Sequence, residues 1–128
     1  MEKKKRVLLI DNDIDLVEVY EQLLSELGIE VDVASDGETG LEKAFKGGYK
    51  LIVLEVVVPK IDGLGVLARL YEGKSLMPNG PTLVMTSLPR GLVSSKAVSL
   101  GAIGCLNKDC VVPGQFVGEV KKFLQMTG

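Results

Sequence analysis

Short apolar runs that stop at acids, hydroxyls or amides alternate along this chain with stretches that are apolar at every third or fourth position. Val7–Ile10 is continuously apolar, closes at Asp11, and reads as a strand covered on both faces. Leu16, Val19, Tyr20, Leu23, Leu24 and Leu27 follow at helical spacing, with Gly28 as the stop. Ile29–Ala34 alternates apolar with charged residues, as a half-exposed edge strand does. Ser35 and Asp36 are candidate caps for a helix carrying Leu41, Ala44 and Phe45, ended by Gly47 and Gly48. Leu51–Leu54 is a second fully apolar strand and ends at Glu55. After a loop over 56–63, Leu64, Leu67, Ala68 and Tyr71 predict the apolar face of a third helix.

The segment 72–81 holds Gly73, Pro78, Asn79, Gly80 and Pro81 and breaks the pattern. It reads first as a surface loop, with a partner-specific insertion as the alternative. Thr82–Met85 predicts a third buried strand ending at Thr86 and Ser87. Leu92–Leu100 predicts a weaker helix stopped by Gly101, and Ile103–Leu106 a short strand before Asn107 and Lys108. Pro113 suits the first turn of a last helix whose apolar face is Phe116, Val117, Val120, Phe123 and Leu124.

The order is strand then helix, repeated through the chain, and this argues an α/β fold with a parallel sheet covered on both faces. Only the second strand alternates with polar residues, so it belongs at an edge and the strand order is 2-1-3-4-5. Residues 1–128 read as a single domain.

Composition narrows the chemistry. Hydrophobic residues at 46% and charged residues at 25% of 128 positions are ordinary globular values, enough for a core without staples. The formal charge of −2 excludes a strongly basic nucleic-acid footprint over the whole chain. With no histidine there is no His-based triad, no imidazole metal ligand and no imidazole acid–base chemistry. Cys105 and Cys110 match neither a zinc set nor a redox motif and read as reduced thiols of a cytoplasmic protein. Lys3 to Arg6 look like a signal n-region, but the apolar run that follows is too short for a signal or a membrane span, so they read as a solvated lead-in to the first strand.

In a sheet of this order, a site forms outside the carboxyl ends of the strands, where the order reverses. The residues there are Asp11, Asn12 and Asp13, then Glu55, then Thr86 and Ser87, then Asn107 and Lys108. Phosphate binders place glycines after the first strand, and Asp-Asn-Asp would instead repel a phosphate unless a cation intervened. Clustered oxygen ligands suit a hard divalent ion, and a lysine and a hydroxyl opposite suit phosphoryl oxygens. The constellation describes metal-assisted phosphoryl chemistry on a carboxylate. Taken singly, each residue has a plainer role: Asp13 as a helix cap, Thr86 and Ser87 as strand-end residues, Lys108 as a loop lysine.

These residues resemble the receiver domain of bacterial response regulators, the flavodoxin-like modules of two-component and phosphorelay signalling. The resemblance runs from Arg6 to Leu124 and rests on Val-Leu-Leu-Ile-Asp-Asn-Asp at 7–13, Leu-Ile-Val-Leu-Glu at 51–55, Val-Val-Pro-Lys-Ile-Asp-Gly at 57–63, Pro-Thr-Leu-Val-Met-Thr-Ser at 81–87, Gly-Ala at 101–102 and Leu-Asn-Lys at 106–108. It implies a phosphoacceptor at position 55, contacts to the phosphoryl group from Thr86 and Lys108, and Mg²⁺ held weakly or not at all by Asp11, Asp13, Glu55 and the backbone carbonyl of Val57. It also implies a histidine kinase as possible donor, and a protein partner on the face of the fourth helix, fifth strand and fifth helix. Neither direct nucleic-acid binding by this domain nor a membrane is implied.

The departures sit where they matter. The acceptor place holds Glu55 rather than aspartate, one of the acid pair is Asn12, the residue after Lys108 is Asp109 rather than proline, and Cys105 replaces the aromatic switch residue. Without that proline a cis bond after Lys108 is costly, so the loop there is expected to take a different course. Glutamate carries its carboxylate about 1–1.5 Å further out, and a misplacement near 1 Å can lower an in-line reaction about 10²-fold. The leading expectation is a pseudo-receiver acting as an interaction module. An active Mg²⁺-dependent phosphoacceptor is the alternative, and a small flavodoxin-like cofactor binder is opposed by the missing phosphate loop. A DNA-binding domain does not fit within these residues, and a stand-alone receiver and a piece of a longer regulator both remain compatible.

Overall fold

The computed structural model describes residues 4–73 and 75–125. Five parallel strands run in the order β2-β1-β3-β4-β5: β1 Arg6–Ile10, β2 Glu30–Ala34, β3 Leu51–Leu54, β4 Thr82–Thr86 and β5 Gly104–Asn107. Between and after them lie α1 Ile14–Glu26, α2 Gly37–Lys46, α3 Gly63–Glu72, α4 Arg90–Ser99 and α5 Pro113–Phe123. The registers Ile10↔Ala34, Ile10↔Leu54, Leu54↔Val84 and Thr86↔Asn107 align the carboxyl ends of all the strands along one edge.

The apolar runs of β1 and β3 are buried because alternate side chains feed opposite layers. Leu8, Ile10, Ile52, Leu54 and Val84 pack with Leu41, Ala44, Val66, Leu67, Val93 and Ala97 of α2, α3 and α4. Val7, Leu9, Leu51, Val53, Leu83 and Met85 pack with Tyr20, Leu24, Phe116 and Val120 of α1 and α5. Tyr20 and Phe116 close this second layer by stacking, with ring centroids 3.7 Å apart.

Aspartates start three of the helices. Asp13, Asp36 and Asp62 accept from the amides of Leu16, Thr39 and Gly65 at 3.2, 2.7 and 2.8 Å, satisfying donors that helix geometry leaves open. Of the two candidate caps before α2, Asp36 does this and Ser35 does not. Pro113 opens α5 as expected, and the Val112 amide donates to Gln115 Oε1 at 3.0 Å.

Two helix faces differ from the spacing prediction. In α3, Tyr71 is 71% exposed and Val66 is fully buried; in α1, Val19 is 44% exposed and Val17 is buried. Both helices carry apolar residues around much of their circumference, so periodicity alone does not choose the face. The strand β5 lies one residue later than expected, leaving Ile103 at 52% exposure outside it. Lys3, in the predicted lead-in, lies outside the described residues; Lys4 and Lys5 precede β1 and Arg6 opens it. Among the described residues no helix is long and apolar enough to cross a membrane.

Candidate functional site

Parallel topology brings Asp11, Glu55, Thr86 and Lys108 to the carboxyl edge between β1, β3, β4 and β5. Lys108 is the centre of the arrangement. Its Nζ lies 2.8 Å from Asp11 Oδ2 and 2.9 Å from Glu55 Oε2, and all three side chains are at most 13% exposed. The remaining carboxylate oxygens are taken locally: Asp11 Oδ1 accepts from the Asp13 amide at 2.9 Å, and Glu55 Oε1 from the Val57 amide at 3.1 Å. Two anions and one ammonium thus share a nearly closed site with charge-assisted bonds.

Burial pulls the Lys108 pKa down, but hydrogen bonds and charge from Asp11 and Glu55 outweigh it, and the net shift is upward. The ammonium is therefore held charged through the neutral range.

Thr86 is fully buried at the end of β4, and its Oγ1 accepts from the Leu88 amide at 3.2 Å. Among the described residues no hydrogen bond joins Thr86 to Glu55. One lone pair of the hydroxyl is thus taken by the loop after β4. Lys108 opens a 3₁₀ turn, Lys108–Cys110, in which the Asp109 amide donates to Asn107 Oδ1 at 2.8 Å. The described peptide bonds are all trans, so the chain leaves β5 through this turn. Ser87 Oγ lies 3.5 Å from Asp109 Oδ1, where the loops after β4 and β5 face each other.

The implied metal set is only partly assembled. Asp13 turns a carboxylate oxygen to the Leu16 amide as the cap of α1, Asn12 is exposed, and the Val57 N–H is given to Glu55 Oε1. Among the described residues no group of three or more His, Cys, Asp or Glu side chains stands where it could hold a metal ion. The Lys108 ammonium lies between Asp11 and Glu55 and neutralises charge that a divalent ion would otherwise share.

Sequence reasoning read Tyr20 as core only. Burial raises the pKa of its hydroxyl, Lys108 opposes this, and Asp11 and Asp13 add to it. A tyrosine two helical turns beyond the capping Asp13 was the available signal. Cys105 is buried in β5 opposite Val84, where the resemblance places an aromatic switch residue.

Fold and edge together define a class: a doubly wound α/β domain whose site combines acids, a buried hydroxyl and one lysine. The profile of the family described as "Response regulator receiver domain" matches residues 7–117. The chain is 32% identical over 103 residues to the "Transcriptional regulatory protein CpxR homolog" of Haemophilus influenzae, covering 80% of this chain and 43% of that protein. It is 33% identical over 121 residues to the "Alkaline phosphatase synthesis transcriptional regulatory protein PhoP" of Bacillus subtilis, covering 94% and 49%. It thus spans about half the length of these curated relatives. A CheY-like response regulator receiver domain from Methanospirillum hungatei superposes with a TM-score of 0.85 at 24% identity, covering 96% of this chain and 95% of that one. The chain belongs to the response regulator receiver family, whose members are signalling modules rather than classical enzymes.

Proposed function

We propose that this domain, taken as one unit over residues 1–128, is a cytoplasmic pseudo-receiver: a protein-interaction module whose acceptor place no longer takes up a phosphoryl group. The observation that carries the reading is the position of Lys108 Nζ, 2.8 Å from Asp11 and 2.9 Å from Glu55. The longer glutamate side chain reaches the ammonium unaided, so the anion that phosphorylation would add is already supplied by Glu55. An incoming phosphoryl donor would meet a carboxylate whose oxygens are both engaged, one by Lys108 and one by the Val57 amide. Asn12 removes a charge from the set that would hold Mg²⁺.

The partner face in this reading is that of α4, β5 and α5, where Leu92, Val98, Ile103 and Val112 are 52–74% exposed. Exposed apolar side chains are what a protein partner covers. A histidine kinase is one such partner, and an output domain elsewhere in a longer regulator is another.

The retained Lys108 and Thr86 favour a second reading, phosphoryl uptake by Glu55 itself. Intact-mass measurement after incubation with acetyl phosphate and Mg²⁺ separates the two. The expected result is an unchanged mass for the wild type and an adduct on Glu55→Asp or, if Asn12 also matters, on Glu55→Asp/Asn12→Asp. An adduct on the wild type establishes the second reading.

A further inference from the structure

The amino-terminal edge of the sheet, opposite the Glu55 site, is built around the loop 75–81. That loop is fixed in place by main-chain and side-chain bonds. The Leu76 amide donates to Phe45 O at 2.8 Å, Gly80 N–H to Tyr49 O at 2.6 Å, and Gly48 N–H to Pro78 O at 3.2 Å. Asn79 accepts from the Tyr49 amide at 3.1 Å and donates to Ala44 O at 2.8 Å. At Gly80 the backbone approaches Lys50 so closely that an added Cβ would lie 1.9 Å from its carbonyl oxygen. Despite this anchoring the loop leaves Leu76 87% and Met77 57% exposed, beside Tyr71 at 71%. Apolar side chains held out on a rigid frame are preorganised for contact.

Two recesses flank the loop and share Pro78, Asn79 and Gly80. One, of about 470 Å³, has mixed walls, with Leu67, Leu70, Tyr71 and Leu100 beside Ser75 and Thr82. The other, of about 840 Å³, is lined by Lys4, Lys5, Arg6 and Lys50 together with Tyr49 and Met77. Arg6 is neutralised by Asp32 at 2.8 Å, and Lys5 donates to the Leu124 carbonyl. Lys4 and Lys50 are exposed and have no ion-pair partner among the described residues. This basic concentration sits on a chain of net charge −2.

We propose that this edge docks an acidic peptide segment bearing one large apolar side chain, the apolar group entering the recess beside Tyr71 and the carboxylates facing Lys4 and Lys50. Lys4 and Lys50 of the second recess select the acids, and Leu67, Leu70, Tyr71 and Leu100 of the first, where no charged side chain lines the wall among the described residues, take the anchor. The surface is concave, which fits a peptide rather than a flat lipid face. The proposal is independent of the state of Glu55.

The test is selection of a random dodecapeptide library on the folded domain, counter-selected against Lys4→Glu/Lys50→Glu, whose exposed positions leave the core untouched. Enriched peptides are expected to carry several acids and one large apolar residue. They should bind the wild type about tenfold more tightly than either the double variant or Tyr71→Ala, and shift the amide resonances of Gly48, Gly80 and Gly101. Any of three results overturns the proposal: no enrichment above the counter-selection, shifts confined to the α4–β5–α5 face, or sedimentation of the domain with phosphatidylserine vesicles that selected peptides do not compete away.

Discussion

At the scale of single residues, Lys108 is the group on which the site depends. It compensates two carboxylates that are 13% and 5% exposed. Removing one partner of a buried ion pair leaves uncompensated charge and costs about 3–5 kcal/mol. Lys108→Met is therefore expected to lower stability by about 3 kcal/mol or more in urea unfolding. Glu55→Gln, which leaves the Lys108–Asp11 pair standing, should lower it less. The pH dependence follows from the raised pKa of Lys108. A folded-state pKa above the unfolded value gives stability that is complete below about pH 10.4 and lost as pH rises through the folded value. Tyr20 and Tyr49, the latter raised to about 12, act in the same direction. The Lys108 contribution is accordingly the part of the alkaline loss that the wild type shows and Lys108→Met does not.

At the scale of elements, the loop between β3 and α3 fixes where Glu55 stands. A Cβ on Gly63 would lie 2.3 Å from the Glu55 carbonyl oxygen and 2.7 Å from Val56 Cα, so the first turn of α3 is packed against the backbone that carries the acid. Gly63→Ala must push that backbone aside and is expected to cost about 1–3 kcal/mol, with displaced Glu55 and Val57 amide resonances. Gly118→Ala, on α5 with nothing within 4 Å of the added Cβ, is expected to stabilise instead, by about 0.5–1 kcal/mol from helix propensity. Opposite signs for one chemical change would show that packing, not propensity, governs position 63. The sequence made the strands legible because β1 and β3 are uninterrupted apolar runs, and a run buried on both faces admits few other readings. It did not make the α3 face legible. Gly-Leu-Gly-Val-Leu-Ala-Arg-Leu-Tyr-Glu is apolar around most of the helix, and the layer built by α2 and α4 selects Val66 over Tyr71.

At the scale of the whole molecule, topology alone brought Asp11, Glu55, Thr86 and Lys108 to one edge, and so their meeting could be read in advance. Side-chain direction could not: the turn of Thr86 toward Leu88 and of Asp13 toward Leu16 depends on local amides that spacing does not encode. That direction bears on switching. A ligand shifts a two-state equilibrium only by its differential affinity for the two states. Here the cation and the anions that would respond to a phosphoryl group already satisfy one another within the chain, and the Thr86 hydroxyl accepts from the Leu88 amide. Under the proposed pseudo-receiver reading, beryllofluoride, which imitates a phosphoryl group on a carboxylate, has little to bind and nothing to rearrange. In the wild type, beryllofluoride with Mg²⁺ is expected to leave the amide resonances of α4, β5 and α5 unmoved. In Glu55→Asp/Asn12→Asp the shorter acid withdraws from Lys108 and a second charge returns beside Asp11. Resonances near Thr86 and Lys108 should then shift. Shifts that stop at the site would show that Cys105, in place of an aromatic side chain, has uncoupled the edge from the α4–β5–α5 face. Shifts that reach Ile103 and Val112 would show that the path survives and that Glu55 with Asn12 alone holds the wild type in one state.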